Sequence, residues 1–487
     1  MQASGKRVAD PAPEADQTRY RSLVMLVVMM GVMVAAVDTT IVVLGLPVMM
    51  VDLHSNIISM VWVIMAYLLT LTMLSTQVGR FGDMFGRVRM YNLGFAVFTL
   101  GSLLCGLSHT GTQIVVFRIV QGIGGALISS NSGAIIADTI PASERGRAYG
   151  VMAVGWSMGA VLGILLGGVI VTFVTWRYIF FINLPIGLVA LVISYRVLRE
   201  RSHPVPHKLD LPGMGLLGLG LVLSLIALTN VTGGGWTTGT VVRLAIGVGL
   251  LAIFALWERR SPAPLVDISL LRQRVLTASI LASFFQALGS YAVMFLVIMY
   301  LQGVRGLSPF SASLLLVPGY GLGGFLGPVS GQLADRYGAR IPASFGLALQ
   351  MLGILLYATL TVGSPLWVVV GAALVNGVGS SFFFPANNSA VMANAPQRSY
   401  GVASGLLRTF SNIGMVGSFA VALLAASAAI PRQDAFAVFL GTSKLSASLA
   451  HAFVHGLHAA LFTSIGLTLC ALVLSILRGK EQRRRVA

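Results

Sequence analysis

Apolar runs of about twenty residues, each long enough to cross a bilayer, follow one another along most of this 487-residue chain and restrict its fold more than any other feature. In hydrocarbon every backbone N–H and C=O must find a partner within the protein, so such a run crosses as a helix. The runs are too long and unbroken for the alternating strands of a membrane barrel. Fourteen can be marked, over residues 22–45, 59–79, 90–107, 113–136, 148–173, 178–197, 212–230, 239–256, 276–301, 309–332, 341–362, 367–391, 401–428 and 452–477, each bounded by charge, Pro or Gly. The composition agrees: 56% hydrophobic, 10% charged, mean hydropathy +0.87. Soluble domains carry about a quarter charged residues, so the chain reads as an all-α integral membrane protein.

Charge gives the expected topology. Residues 1–21 are polar, contain Pro11 and Pro13, and read as a disordered cytoplasmic tail; residues 478–487 form a basic one. The apolar stretch after the first tail is too long for a cleavable signal. With the N-terminus inside, roughly 25 of the 32 basic residues fall on the inner side and roughly 5 outside, which an even number of spans allows. The net charge of +17 is spread over alternate short loops rather than one patch, which excludes nucleic acid as a partner. No phosphate-cradling glycine loop followed by Lys-Ser/Thr occurs, so no ATP use is expected. Cys105 and Cys470 both lie in apolar runs, with neither a disulfide nor a metal site expected. No cofactor is expected, and a monomer is.

An internal repeat organises the spans. The short charged stretch Gly79-Arg80-Phe81-Gly82-Asp83-Met84-Phe85-Gly86-Arg87-Val88-Arg89 reads as a turn of about ten residues between two spans. A second copy, Gly331-Gln332-Leu333-Ala334-Asp335-Arg336-Tyr337-Gly338-Ala339-Arg340, follows at an offset of 252 between Asp83 and Asp335. At an offset of 255, Gln121-Gly122-Ile123-Gly124 matches Asn376-Gly377-Val378-Gly379, and Gly150, Gly159, Pro141 and Gly146 pair with Gly405, Gly414, Pro396 and Gly401. One register held over about forty residues implies two equivalent six-helix bundles, 22–197 and 276–477, with an inserted transmembrane hairpin at 212–256. This is the parallel-repeat plan of a rocking transporter with substrate bound at mid-membrane.

The motifs resemble those of the major facilitator superfamily, specifically its fourteen-helix drug:proton antiporter branch, over essentially the whole chain. They are Asp38-Thr39-Thr40-Ile41-Val42 through Leu46-Pro47, Trp62 with Tyr67-Leu68-Leu69, and the Gly79–Arg89 stretch. Arg118-Ile119-Val120-Gln121-Gly122-Ile123-Gly124, the helix-five glycines Gly150, Gly159, Gly163, Gly167 and Gly168, and Trp176 through Gly187 follow. Tyr300-Leu301-Gln302, Gly306-Leu307-Ser308-Pro309 and Val317-Pro318 complete the set. The chain departs from that branch's pattern at Val43 (usually Asn), Val88 (often basic) and Ile164, where the antiporter signature has Pro. The resemblance implies the major facilitator fold, alternating access and export driven by a proton gradient.

Asp38 is the one acid deep in an apolar run, and an intramembrane carboxylate is costly unless paired, protonated or hydrated. It and Arg118, at similar expected depth, are the candidate proton-coupling pair. Gly79, Asp83, Gly86 and Arg87, with Gly331, Asp335, Arg336 and Gly338, are candidate gating latches. The helix-five glycines permit close packing. Candidate cavity residues are Asp38, Arg118, Gln121, Gln286, Phe383, Asn387 and Arg408, with Phe382, Phe384, Phe284 and Phe285 as an aromatic alternative. Arg408 stands in a C-terminal half whose spans lack any deep acid, so it either faces the cavity or snorkels to the surface. His451, His455 and His458 read as solvated rather than metal-binding. The expected function is proton-coupled antiport of small amphipathic or hydrophobic compounds across the plasma membrane. A carrier dedicated to one anionic or neutral amphiphile is the first alternative, and a non-transporting receptor or scaffold the second. No nucleophile–base or metal constellation points to an enzyme.

Overall fold

Asn56, Thr110, Asp210 and Ser308 each stand just before an apolar run and turn a side-chain oxygen onto the N–H three residues ahead, at 2.8, 3.2, 2.9 and 3.2 Å. These caps satisfy donors that the first helical turn leaves free. Thr237 and Thr240 form a reciprocal capping box. The computed structural model describes residues 14–141, 144–200, 209–261, 264–265, 272–395, 400–430 and 447–479. Among them are fourteen helices long and apolar enough to span a membrane, and no strand. We label them α1 (Glu14–Asp52), α2 (Ile57–Phe85), α3 (Arg87–Gly106), α4 (Gly111–Thr139), α5 (Arg145–Phe173), α6 (Tyr178–Val197, interrupted at Ile182), α7 (Leu211–Gly234), α8 (Thr238–Glu258), α9 (Arg274–Met299, extended by a π-turn Tyr300–Val304), α10 (Pro309–Tyr337), α11 (Arg340–Tyr357), α12 (Leu366–Asn394), α13 (Tyr400–Ala428) and α14 (Ala447–Leu477). The architecture is two six-helix bundles with a two-helix hairpin, α7–α8, inserted between them.

The helices overrun several expected spans. α1 already begins at Glu14, so residues 14–21 are helix rather than tail, and it runs through Pro47 to Asp52. Charge ends an apolar run, but it does not end a helix whose backbone bonds continue. Residues 1–13 lie outside the described residues. The expected ten-residue turn at 79–89 shrinks to a single residue: α2 reaches Phe85, α3 starts at Arg87, and Gly86 between them has φ 103°. Gly338, between α10 and α11, has φ 86°. A side chain would be strained at either position, so glycine is what permits the abrupt reversal. At the C-terminus Arg478, expected in a solvated tail, is fully buried, with Nη1 3.5 Å from Asn387 Oδ1; 480–487 lie outside the described residues.

The repeat is written in glycine contacts. A Cβ placed on Gly101 of α3 would meet Gln121 of α4, and one on Gly353 of α11 would meet Asn376 of α12. Gly124 lies against Phe98 as Gly379 lies against Gln350, and Gly94 against Ile128 as Gly346 against Phe383. Gly159 packs on Met33 and Ala36 of α1, and its counterpart Gly414 packs on Phe284 and Ala287 of α9. Small residues let backbones approach closely where lipid offers no hydrophobic drive for helix association.

The halves meet at the end of the bundle that carries Asp52. Gln302 donates from Nε2 to the Leu44 carbonyl at 3.2 Å, and the Phe310 N–H donates to Thr172 Oγ1 at 3.0 Å. Ile57 of α2 shares an apolar lining with Leu423 of α13 and with Ile430 just beyond its end. Nearer the Asp83 end, Arg408 of α13 donates to the Ser129 carbonyl of α4 at 3.2 Å. The hairpin is fastened to α2, with Trp62 Nε1 donating to Thr229 Oγ1 at 3.3 Å and Gln77 Nε2 to the Asp210 carbonyl at 3.5 Å. Along α8, Val241, Val242, Ile246, Val248, Ile253 and Leu256 are exposed, as lipid-facing residues should be.

Candidate functional site

Five helices of the first half converge on one carboxylate. Asp38 is fully buried near the middle of α1, and its Oδ2 accepts from Arg118 Nη1 of α4 at 2.6 Å. Its Oδ1 accepts from Gln121 Nε2 at 2.8 Å and from Asn183 Nδ2 of α6 at 3.2 Å. The guanidinium has further neutral partners: Nε donates to the Val63 carbonyl of α2 at 3.0 Å and Nη1 to Gln121 Oε1 at 2.6 Å. Its carbon sits 4.3 Å from the Tyr67 ring centroid, within cation–π range. Ser102 of α3 closes the network by accepting from Gln121 Nε2 at 2.7 Å. The spacing of Arg118 and Gln121, three residues apart, puts both on one face of α4 and on the same carboxylate.

Both members of this pair also have neutral partners. A buried ion pair costs desolvation on both sides, and removing one partner ordinarily leaves an uncompensated charge worth about 3–5 kcal/mol. Besides Asp38, Arg118 has two carbonyl-type acceptors and an aromatic face. Besides Arg118, Asp38 has two neutral amide donors, Gln121 and Asn183.

A second cluster surrounds Gly86. Arg87 donates from Nε to Asp83 Oδ1 at 2.8 Å and from Nη1 to Asp138 Oδ1 of α4 at 2.5 Å. The N–H groups of Arg87, Val88 and Arg89, the free first turn of α3, donate to Glu200 at 3.1, 3.0 and 3.2 Å. A carboxylate at a helix N-terminus is favoured by orphan donors and dipole alike. Gly79 and Gly331, equivalent by the 252 offset, both have open space where a Cβ would stand. Asp335 lies near the end of α10, with its side chain outside the described set; Arg336 beside it is exposed.

The helix-five glycines divide by direction. Gly159, Gly163 and Gly167 face α1, with Gly163 against Val37 and Thr40 and Gly167 against Ile41. Gly168 faces Ser313 and Phe310 of α10, across to the other half; Gly150 lies near the Arg145 end of α5. Ile164 is fully buried in the main core, and α5 runs through it without interruption.

The other expected cavity residues do not gather. Gln286 is buried and donates to Gln350 Oε1 at 3.0 Å, Asn387 is buried and donates to the Ser279 carbonyl at 3.0 Å, and Arg408 is exposed. Phe383 is fully buried among Ala343, Leu347 and Ala386, packed rather than lining open space. The expected aromatic group is dispersed, Phe284 stacking edge-on with Phe285 and Phe410, and Phe382 with Phe345. His451 and His455 are exposed, and the His458 Nε2 lies 2.7 Å from the Leu360 carbonyl. Sequence reasoning gave no site role to Asn183, Ser102, Tyr67, Asp138 and Glu200, although Tyr67 and Asn183 stand within its motifs. A polar residue inside an apolar run, as at Asn183 and Ser102, was the available signal for two of them.

Comparison with known proteins adds three findings. The profile of the Major Facilitator Superfamily matches residues 28–419. The chain is 31% identical to the tetracenomycin C resistance and export protein of Streptomyces glaucescens, over 85% of this chain and 77% of that one. It is 31% identical to the multidrug resistance protein Stp of Mycobacterium tuberculosis, strain CDC 1551 / Oshkosh (83% and 75%), and 29% identical to the riboflavin transporter RibZ of Clostridioides difficile, strain 630 (81% and 86%). Among solved structures, a bacterial homologue of the human lysosomal transporter Spinster, inward-facing and occupied, superposes with a TM-score of 0.68 at 18% identity, over 94% of this chain and 97% of that one.

Proposed function

This chain belongs to the Major Facilitator Superfamily and is a multi-pass membrane transporter; from that premise we propose that it exports small amphipathic or hydrophobic compounds across the plasma membrane in exchange for protons. The observation that carries the reading is the buried Asp38–Arg118 pair, supported by Gln121 and Asn183. In the cycle, both termini are cytoplasmic and the Asp52 end faces out. A proton from outside loads Asp38, the pair loosens, and Arg118 rests on Val63, Gln121 and Tyr67. The bundles rock, with α1 sliding on the glycine face of α5 and the Gly86 and Gly338 latches re-forming. Asp38 releases its proton inside, and substrate enters from the cytoplasm or inner leaflet. The resistance and export proteins among the relatives support the direction of transport.

Everted membrane vesicles test this. A pH gradient should drive uptake of a lipophilic dye, a protonophore should abolish it, and Asp38→Asn should remove it while the protein remains in the membrane at normal abundance. Dye uptake that survives the protonophore would refute proton coupling.

A second reading, a carrier dedicated to one neutral or anionic amphiphile, is favoured by the uncharged amides Gln286 and Gln350 in the second half and by the riboflavin transporter among the relatives. Broad competition by unrelated compounds supports the multidrug reading, and narrow competition the dedicated one.

A further inference from the structure

Trp156 lies eleven residues from the Arg145 start of α5, roughly 16 Å along the helix, and is exposed. The tryptophans of an interfacial belt sit at headgroup level, near the ends of a span, and Trp156 is well inside one. Its neighbours set its direction. Gly155 and Gly159 lie against Met29, Met33 and Ala36 of α1, while Ser157 meets Gly324 of α10. Successive helical residues are about 100° apart, so Trp156 stands between the side of α5 that meets α1 and the side that meets α10.

Two exposed sides of α5 behave differently along its length. Met158, Leu162, Val169 and Phe173, at helical spacing, stay exposed up to the end where α5 closes on α10 through Gly168 and Thr172. The halves are sealed there, so this stripe faces lipid. Trp156 is two residues, about 200°, from Met158 and therefore on the opposite side. On that side exposure stops, because Ala160 and Ile164, about one and two turns further on, are buried. An opening that ends part-way along the helix is the cleft between the halves, and Trp156 stands where it ends. Gly163, packed on Val37 and Thr40, marks the level of Asp38. Trp156 is seven residues, roughly 10 Å, short of that level, toward the end opposite Asp52, so cargo entering from that end meets it before Asp38. An indole offers a flat face whose contacts with other rings gain free energy beyond the area they bury.

We propose that Trp156 contacts the cargo as a stacking platform and makes the cleft prefer compounds with aromatic rings over aliphatic ones of like size and charge. This rests on the transport reading above and names its substrate class.

The test reads binding without a proton gradient, so a failure of proton-driven export leaves it standing and its own failure leaves proton-driven export standing. The full chain in nanodiscs is titrated by equilibrium dialysis with tetraphenylphosphonium and, separately, tetrabutylphosphonium, with uptake by protein-free nanodiscs subtracted. The intact protein should bind the aryl cation about fivefold more tightly, a readout that does not depend on any variant folding. Trp156→Leu should erase that preference, and Trp156→Phe should keep part of it. Fluorescence reads the direction of the side chain. The emission that Trp156→Phe removes should be quenched by acrylamide, shielded from it by tetraphenylphosphonium, and insensitive to brominated lipid chains. No aryl preference in the intact protein, an unchanged preference in Trp156→Leu, no shielding by tetraphenylphosphonium, or quenching by brominated lipid in place of acrylamide would each overturn the proposal.

Discussion

The two halves share a backbone and differ in what they bury. The glycine contacts Gly159 with Met33 and Ala36, and Gly414 with Phe284 and Ala287, align α1 with α9 at an offset of 251, and Gly124 with Gly379 aligns α4 with α12 at 255. By these offsets the counterparts of Asp38, Arg118 and Gln121 are Gly289, Ala373 and Asn376. Where the first half places a carboxylate, the second packs a glycine against Ser464 and Thr468 of α14. The second half keeps a polar cluster, with Gln286 and Ser290 donating to Gln350 at 3.0 and 3.4 Å, but no charge in it. The same scaffold thus supports a buried ion pair in one half and an uncharged amide group in the other. Helix packing, set by glycines, is separable from the chemistry placed on it.

This contrast can be broken most severely at Asp38. Asp38→Asn keeps Gln121 and Asn183 within bonding reach yet removes the carboxylate, and it should abolish gradient-driven uptake in vesicles. Arg118→Leu comes next. It leaves Asp38 buried without its cation, which costs about 3–5 kcal/mol if the acid stays ionised, and should lower the melting temperature measurably in purified protein. Pairing it with Asp38→Asn should restore most of that stability without restoring transport. Gly163→Leu should jam α5 against Val37 and Thr40 and cut transport several-fold or more, whereas a substitution at Gly405, with open space around it, should have little effect. Glu200→Ala, which leaves three N–H groups of α3 without their carboxylate, should slow turnover by roughly the tenfold that about 1–2 kcal/mol of lost capping implies, with substrate affinity unchanged. The smallest effect is expected at Gln350→Leu: less stability, measured by thermal melting, with the proton-to-substrate ratio intact.

Much of this was legible in the chain because membrane solvent leaves few choices. The spans follow from run length alone, and the repeat from Asp83 and Asp335, Gly159 and Gly414. The helix ends were less legible: the charges at Glu14–Arg21 and at Arg80 and Asp83 interrupt hydropathy but not backbone bonding, so α1 and α2 extend through them, and only Gly86 breaks the chain of helical bonds. The Asp38–Arg118 contact was within reach because both are deep charges of opposite sign. Asn183 was harder to place, since nothing local tells which side of α6 meets α1, and Glu200 harder still, since its partners are backbone groups 111 to 113 residues away. Phe383 and Asn387 looked like cavity residues because an apolar run does not distinguish the face toward the cleft from the face toward a neighbouring helix.

The most direct test of the central claim is proton movement in proteoliposomes on adding substrate, with a pH-sensitive dye inside, for the intact protein and for Asp38→Asn. The account predicts a substrate-triggered proton flux in the intact protein and none in the variant. Equal substrate movement in both, without proton flux in either, would make the protein a facilitator and contradict the role assigned to Asp38.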